Sequence, residues 1–305
     1  MTNVFAPGKL MIAGEYAVLE GRPCLVAAVD LCVRAHASAN ASPEPPEVTA
    51  TRLVAERHLK QTFSPLAFDT AALRRNEKKL GLGSSAACAV ACAAFAVAET
   101  RGNVFGLDDR ATIFEIAREG HAKVSAGGSG ADVAASVFGG VLSYTMDGRM
   151  KPVAGTPPGV QRIVWTGVES RTHALLPRVR AAKQSQRLAY ANAVARIADA
   201  TDALVDAWQG TQFSSLKDAV SEHHEALREL GQLANAPIVE AHLTAIANIA
   251  AKRGGAAKPS GAGGGDIALA VFPSEREAVA FDGELAAANY IVVHATVGAA
   301  GVRVE

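Results

Sequence analysis

From Ser84 to Thr100 the chain runs through Ala, Cys, Val and Phe with almost nothing polar until Glu99. A helix of that composition has no solvent face, so other elements must cover it on most of its sides. The chain can supply that cover. Its 305 residues are 49% apolar and only 20% charged, which suits one large or two modest domains and excludes a disordered chain. The helix also starts directly after a glycine loop, Gly81-Leu82-Gly83.

Thirty Lys plus Arg balance thirty Asp plus Glu. The electrostatic footprint of a nucleic-acid or acidic-membrane binder is therefore missing, and any bound anion needs local cations or backbone donors. No stretch approaches the ~18 to 20 apolar residues of a membrane span. Met1 to Pro7 lacks the charged and greasy regions of a signal peptide, and a cytoplasmic location is expected. Cys24, Cys32, Cys88 and Cys92 show no CxxC spacing and are read as reduced thiols. Cys88 and Cys92 share a helix face and read as small core residues rather than metal ligands.

Apolar runs at Leu10 to Ala13, Tyr16 to Leu19 and Cys24 to Val29, punctuated by Gly8, Gly14, Gly21 and Pro23, predict a β-rich opening. Ser42 to Pro46, with three prolines, reads as a loop, and Val48 to Val54 as a further strand. Helices are expected from Ser84 to Thr100 and over about Asp108 to Lys123, followed by a loop, Gly127 to Gly130, and an apolar run, Val133 to Tyr144. Turn-rich residues 147 to 160 mark a boundary that divides the chain into domains 1–155 and 156–305. Beyond it Val179 to Trp208, Ser214 to Leu233 and Ile238 to Arg253 have helical spacing. A loop Gly261 to Gly265, a strand Ile267 to Phe272, a helix Ser274 to Asn289 and a strand pair, Tyr290 to Thr296 with Gly301 to Val304, complete an α+β fold. No internal repeat is present.

The stretch Gly81-Leu82-Gly83-Ser84-Ser85-Ala86-Ala87 has the chemistry of a phosphate site. Glycines let the backbone approach closely, and a helix start offers unpaired N–H groups at the positive end of its dipole. A Ser there either caps the helix or ligates Mg²⁺ bridging nucleotide phosphates. It is not a Walker A loop, because no Gly-Lys-Ser/Thr follows at the required spacing. Two further loops, Gly127-Gly128-Ser129-Gly130-Ala131-Asp132 and Lys258-Pro259-Ser260-Gly261-Ala262-Gly263-Gly264-Gly265-Asp266, exceed what turns alone require.

With Pro7-Gly8-Lys9 and Gly14-Glu15-Tyr16 near the N-terminus, the order of these strings resembles the three signature motifs of the GHMP kinases, the superfamily of galactokinase, homoserine kinase, mevalonate kinase and phosphomevalonate kinase. The resemblance covers residues 6 to 266. Within it the phosphomevalonate kinase branch is most similar, through Lys79-Leu80-Gly81-Leu82-Gly83-Ser84-Ser85, Gly128 to Ala135, Trp165-Thr166-Gly167 with Ser170 and Thr172, and Lys258 to Asp266. Two places depart from that branch: Leu80 replaces Thr or Tyr, and Ile267 follows Asp266 where Cys-Gly is usual.

The resemblance implies a two-domain GHMP kinase fold, with an N-terminal ribosomal-protein-like βαβ domain and a C-terminal ferredoxin-like α+β domain. It implies ATP and Mg²⁺ as cofactors and 5-phosphomevalonate as acceptor; mevalonate or another small alcohol, or a silent nucleotide-binding regulator, are the alternatives. Lys79, Gly81, Leu82, Gly83, Ser84, Ser85 and Ala86 would hold ATP, with Ser85 as Mg²⁺ ligand, and Lys9 would meet the reacting phosphates. Asp132 would act with Lys9; a phosphate monoester has a second pKa of about 6, so this acceptor needs alignment more than a strong base. The alternative for Asp132 is a helix cap. Tyr16, Ser129, Gly130, Ser260, Gly261 and Ala262 would line the acceptor, and these stretches would converge on one crevice. Tyr16 reads equally as a half-buried strand residue, and Lys78 and Lys258 as solvated charges. His121 stands where the mevalonate kinase branch carries a metal-binding Glu, and reads either as a substrate neighbour or as an ordinary histidine.

Overall fold

A computed structural model describes residues 2–38, 44–125, 127–170 and 172–305; Ser42 and Pro43 of the expected loop lie outside them. The chain opens with β1 (Asn3–Ala13), a 3-10 turn at Ala17–Glu20 and β2 (Cys24–Ala37). Next come α1 (Pro46–Leu59), β3 (Leu66–Asp69) and the short pair β4 (Arg74–Arg75) and β5 (Lys78–Lys79). α2 (Ser84–Arg101), α3 (Leu107–Ala122) and α4 (Ala131–Phe138) lead into β6 (Val141–Tyr144) and β7 (Met150–Pro152). The second half holds β8 (Val160–Trp165), α5 (Thr172–Ser185), α6 (Arg187–Gln209), α7 (Phe213–Leu233) and α8 (Ala241–Lys252). β9 (Ala256–Ser260), β10 (Ile267–Phe272), α9 (Glu275–Ala287), β11 (Ile291–Val293) and β12 (Arg303–Val304) finish the chain.

These elements form two compact units. One comprises Met1–Leu10, Val26–Met150 and Thr296–Glu305, the other Met11–Leu25 and Lys151–Ala295. In place of one cut between 155 and 156, the chain crosses several times, because pairing partners far apart in sequence claim its first and last strands.

The first unit is built around α2. Every residue from Ser84 to Ala98 except Ser85 is buried, and α1, α3 and α4 pack against it. The stretch read as a strand, Val48 to Val54, is the middle of α1. Pro46 sits in the first turn, where a missing N–H is tolerated, and Val48, Thr51, Val54 and Ala55 recur on the buried face at helical spacing. The accompanying sheet has the order β12-β1-β2-β6-β7, with β3 on β2.

The second unit has an antiparallel sheet, β11-β8-β10-β9. β10 is buried along its whole length, as a central strand flanked on both sides must be. The expected helix Val179 to Trp208 is broken at Gln186 into α5 and α6. The expected strand pair at the tail does not form: β11 pairs with β8, whereas β12 pairs with β1, Val4 opposite Val304. Among the described residues no helix is long and apolar enough to cross a membrane.

Under the second sheet Phe281 of α9 is fully buried with its ring 4.6 Å from that of Phe272 on β10. Phe281→Ala should lower stability by about 3–5 kcal/mol, read as a reduced urea midpoint at unchanged m value.

Candidate active site

In the first unit β1 delivers Lys9 to the glycine loop. The Lys9 N–H donates to the Leu82 carbonyl at 2.8 Å, and Nζ lies 3.4 Å from the Gly81 carbonyl oxygen. Gly83 is the N-cap of α2 with φ +78°, and a Cβ added there would stand 2.8 Å from Lys9 Cγ. Glycine is therefore required twice, by the backbone angle and by the lysine stem. Ser84 and Ser85 lie inside the first turn, and no side chain caps the helix. The capping alternative for these serines falls away, and the first amides of α2 have no side-chain cap at the positive end of the helix dipole. Ser85 Oγ stands 3.2 Å from Nε2 of His121, which is buried on α3. His121 is thus a neighbour of the proposed Mg²⁺ ligand.

Asp132 lies in the first turn of α4, whose N-cap is Gly130. Its Oδ1 accepts the Val133 N–H at 2.9 Å. A carboxylate there sits favourably at the positive end of the helix without being its cap. Ser129 Oγ accepts the Ala131 N–H at 3.2 Å, and the Ser129 carbonyl accepts the Tyr144 hydroxyl at 2.9 Å.

A cavity of about 410 Å³ in this unit is lined by Thr70, Arg74, Lys79, Ser84 and Cys88 among others. Arg74 was not singled out by sequence; β4 and β5 place it directly across from Lys79, so two cations share one strand pair. Lys78 is exposed, as a solvated charge should be.

In the second unit Tyr16, Ser260, Gly261 and Ala262 come together. The Met11 N–H donates to Ser260 Oγ at 3.1 Å, the Tyr16 hydroxyl donates to the Ala262 carbonyl at 2.5 Å, and the Gly261 N–H donates to Glu15 Oε1 at 3.2 Å. Tyr16 is not a half-buried strand residue: it is buried, with φ +64°, at the head of the 3-10 turn. Lys258 is not solvated either. It is 1% exposed on β9 and pairs with Glu15 at 2.7 Å, because that carboxylate replaces its lost hydration. Glu15 and His223, which stands 3.4 Å from it, escaped the sequence reading as members of this cluster. The Trp165–Ser170 segment closes on the same loop: the Ser170 N–H donates to Asp266 Oδ1 at 2.9 Å, and the Ser170 hydroxyl to the Gly263 carbonyl. The side chain of Thr172 lies outside the described residues. At Gly263 a Cβ would come 2.2 Å from the Ile238 carbonyl oxygen, so here packing within the protein demands glycine.

Residues 50–140 match the family model of the GHMP kinases N terminal domain, and residues 200–290 that of the GHMP kinases C terminal domain. The chain belongs to the GHMP kinases. Phosphomevalonate kinase of Streptomyces sp. (strain CL190) is 28% identical to it, over 88% of this chain and 89% of the relative. Streptococcus pneumoniae phosphomevalonate kinase, solved in complex with phosphomevalonate and AMPPNP, shares the fold with a TM-score of 0.82 at 20% identity, covering 97% of this chain and 99% of the other. L. major mevalonate kinase in complex with R-mevalonate has a TM-score of 0.73 at 21% identity, covering 97% of this chain and 96% of the other. The two-domain mixed architecture of this GHMP kinase is therefore the one its motifs imply.

Gly83→Ala should fold yet raise the KM for ATP at least about tenfold, the equivalent of ~1.4 kcal/mol, by straining the α2 start and displacing Lys9; steady-state kinetics at varied ATP read it. Burial pushes the thiols of Cys88 and Cys92 up to about 12. At pH 8 both stay protonated, so iodoacetamide should leave them unmodified in the native kinase and label them in urea, as mass spectrometry would report.

Proposed function

We propose that this GHMP kinase transfers the γ-phosphoryl group of ATP to the phosphate of 5-phosphomevalonate, giving 5-diphosphomevalonate and ADP. An acceptor phosphate oxygen forms the new bond to the γ-phosphorus, and the bond to the β-bridging oxygen breaks with its electrons leaving on ADP. The observation that carries the kinase reading is the start of α2, where uncapped amides, Ser85 and the Lys9 side chain are held at one glycine loop. The acceptor reading is supported by the Lys258 to Asp266 string and by the 28% identical phosphomevalonate kinase.

Lys79, Gly81, Leu82, Gly83, Ser84, Ser85 and Ala86 hold the nucleotide phosphates in this reading. Lys9 neutralises charge on the transferring group, a contribution that depends on its being fixed before the reaction. Asp132 orients Lys9 and the acceptor; an already ionised phosphate gives it no strong-base task. Tyr16, Ser129, Gly130, Ser260, Gly261 and Ala262 are assigned to the acceptor. Among the described residues no group of three or more His, Cys, Asp or Glu side chains gathers to hold a metal ion. The residues still fit Mg²⁺, a hard ion that can take one hydroxyl and complete its shell with phosphate oxygens and water: Ser85 would be the protein ligand. When bound, the ion offsets negative charge on the β- and γ-phosphates.

Mevalonate is the competing acceptor, because a mevalonate kinase shares this fold. A coupled ADP-release assay with mevalonate, phosphomevalonate, homoserine and galactose decides between them: turnover is expected with phosphomevalonate, and turnover with mevalonate alone rejects the assignment. Lys9→Ala and Asp132→Ala should each lower kcat by at least about a hundredfold; normal turnover in both removes them from the site.

A further inference from the structure

Behind the third glycine loop the second unit buries an ionic cluster. The side chains of Glu15 and Lys258 are 2% and 0% exposed, and Oε1 meets Nζ at 2.7 Å. The same Oε1 accepts the Gly261 N–H at 3.2 Å. His223, wholly buried on α7, accepts the Gly14 N–H on Nε2 at 2.9 Å, and that nitrogen lies 3.4 Å from Glu15 Oε2. Burial first, and then the Lys258 charge, holds the His223 pKa well below the ordinary value, so the ring is neutral. A nitrogen that accepts an amide N–H has no proton for Oε2, and Oε2 has no hydrogen-bond partner.

Burying two ions costs several kcal/mol each before their attraction is counted, and an apolar pair of equal volume often serves stability as well or better. Stability alone therefore gives no reason for a carboxylate at this position. What the carboxylate adds is a fixed acceptor for one particular amide, at the head of the loop that follows β9. Lys258 balances the charge of that carboxylate from the strand before the loop, and the Gly14 contact ties His223 to the segment carrying Glu15.

We propose that Glu15 is a positioning residue for the acceptor: its side-chain oxygen, by accepting the Gly261 N–H, fixes the Gly261 backbone and with it the loop Ser260–Ala262 that receives the acceptor. This rests on the reading above that the loop takes the acceptor. Two double variants separate positioning from stability. Glu15→Met with Lys258→Met removes the ion pair and the acceptor atom together; Glu15→Gln with Lys258→Met removes the ion pair but leaves an amide oxygen for the Gly261 N–H. The Met pair should raise the KM for phosphomevalonate at least about tenfold, whereas the Gln pair should stay within about threefold of the wild type. The KM for ATP should stay within about twofold in both, and their melting temperatures within a few degrees of each other. Equal phosphomevalonate KM values in the two variants, or a parallel rise in the KM for ATP, overturn the proposal. If the Met pair does not fold, Glu15→Asp takes its place, since it keeps the charge but withdraws the oxygen by one methylene: a raised acceptor KM at unchanged ATP KM supports the proposal, and an unchanged acceptor KM overturns it. Wild-type enzyme that ignores phosphomevalonate refutes the acceptor assignment instead, and the same comparison is then made with whichever acceptor of the panel it turns over.

Discussion

A chain with no net charge can hold a triphosphate only by concentrating positive potential in one place, and the place proposed for it is the first turn of α2. The helix is apolar along almost its whole length, so the protein packs it away from Ser84 to Ala98, leaving Ser85 part-exposed in the first turn and Glu99 to Arg101 exposed at the far end. The dipole at such a beginning amounts to roughly half a positive charge, and a capping side chain would satisfy part of it. Gly83 supplies no side chain, and the same missing Cβ admits the stem of Lys9. Backbone partial charge and a full ammonium charge are thereby brought to one loop by one residue choice. The Leu82 carbonyl, accepting the Lys9 amide, keeps strand and loop in register.

The first and third glycine loops look alike in sequence, share a positive φ, and differ in what stands against the missing Cβ. At Gly83 the requirement comes from a positive φ and from Lys9. At Gly263 it comes from a positive φ of +77° and from the Ile238 carbonyl, backbone where Gly83 meets a side-chain stem. Glycine strings thus mark where backbone must approach something closely, without saying whether that something is a ligand or the chain itself. The Ser170 and Asp266 hydrogen bonds show the third loop held mainly by its own surroundings.

What was legible in the sequence was local. The buried run of α2, the helical spacing of α7 and the apolar β10 each follow from side chains within a few residues of one another, and the ordered motifs placed the fold. What was not legible depends on distant partners. Val48 and Val54 are β-branched and suggested a strand, yet a proline at the start and a buried face at helical spacing make α1. The two tail strands join different sheets because their partners, β8 and β1, lie far back in the chain. Lys258 looked like a solvated charge because that is the commonest fate of a lysine; its counter-ion is 243 positions away. Glu15 was visible as part of a motif, but its burial was not.

The direction of each hydrogen bond sorts the groups assigned to the acceptor. An anion needs donors, and a donor already committed offers nothing. The Gly261 N–H is committed to Glu15, and the Tyr16 hydroxyl proton to Ala262; burial, with the Glu15 charge adding to it, raises the Tyr16 pKa and keeps that proton in place. Ser260 and Ser129 differ. Each hydroxyl oxygen accepts a backbone N–H, from Met11 and from Ala131, and an accepting hydroxyl still has its own proton to give. Those amide bonds also fix where each oxygen stands, so the proton is offered from a set position. Gly261 and Tyr16 of the assigned set therefore shape the loop, while the two serines are members with the chemistry to meet negative charge directly.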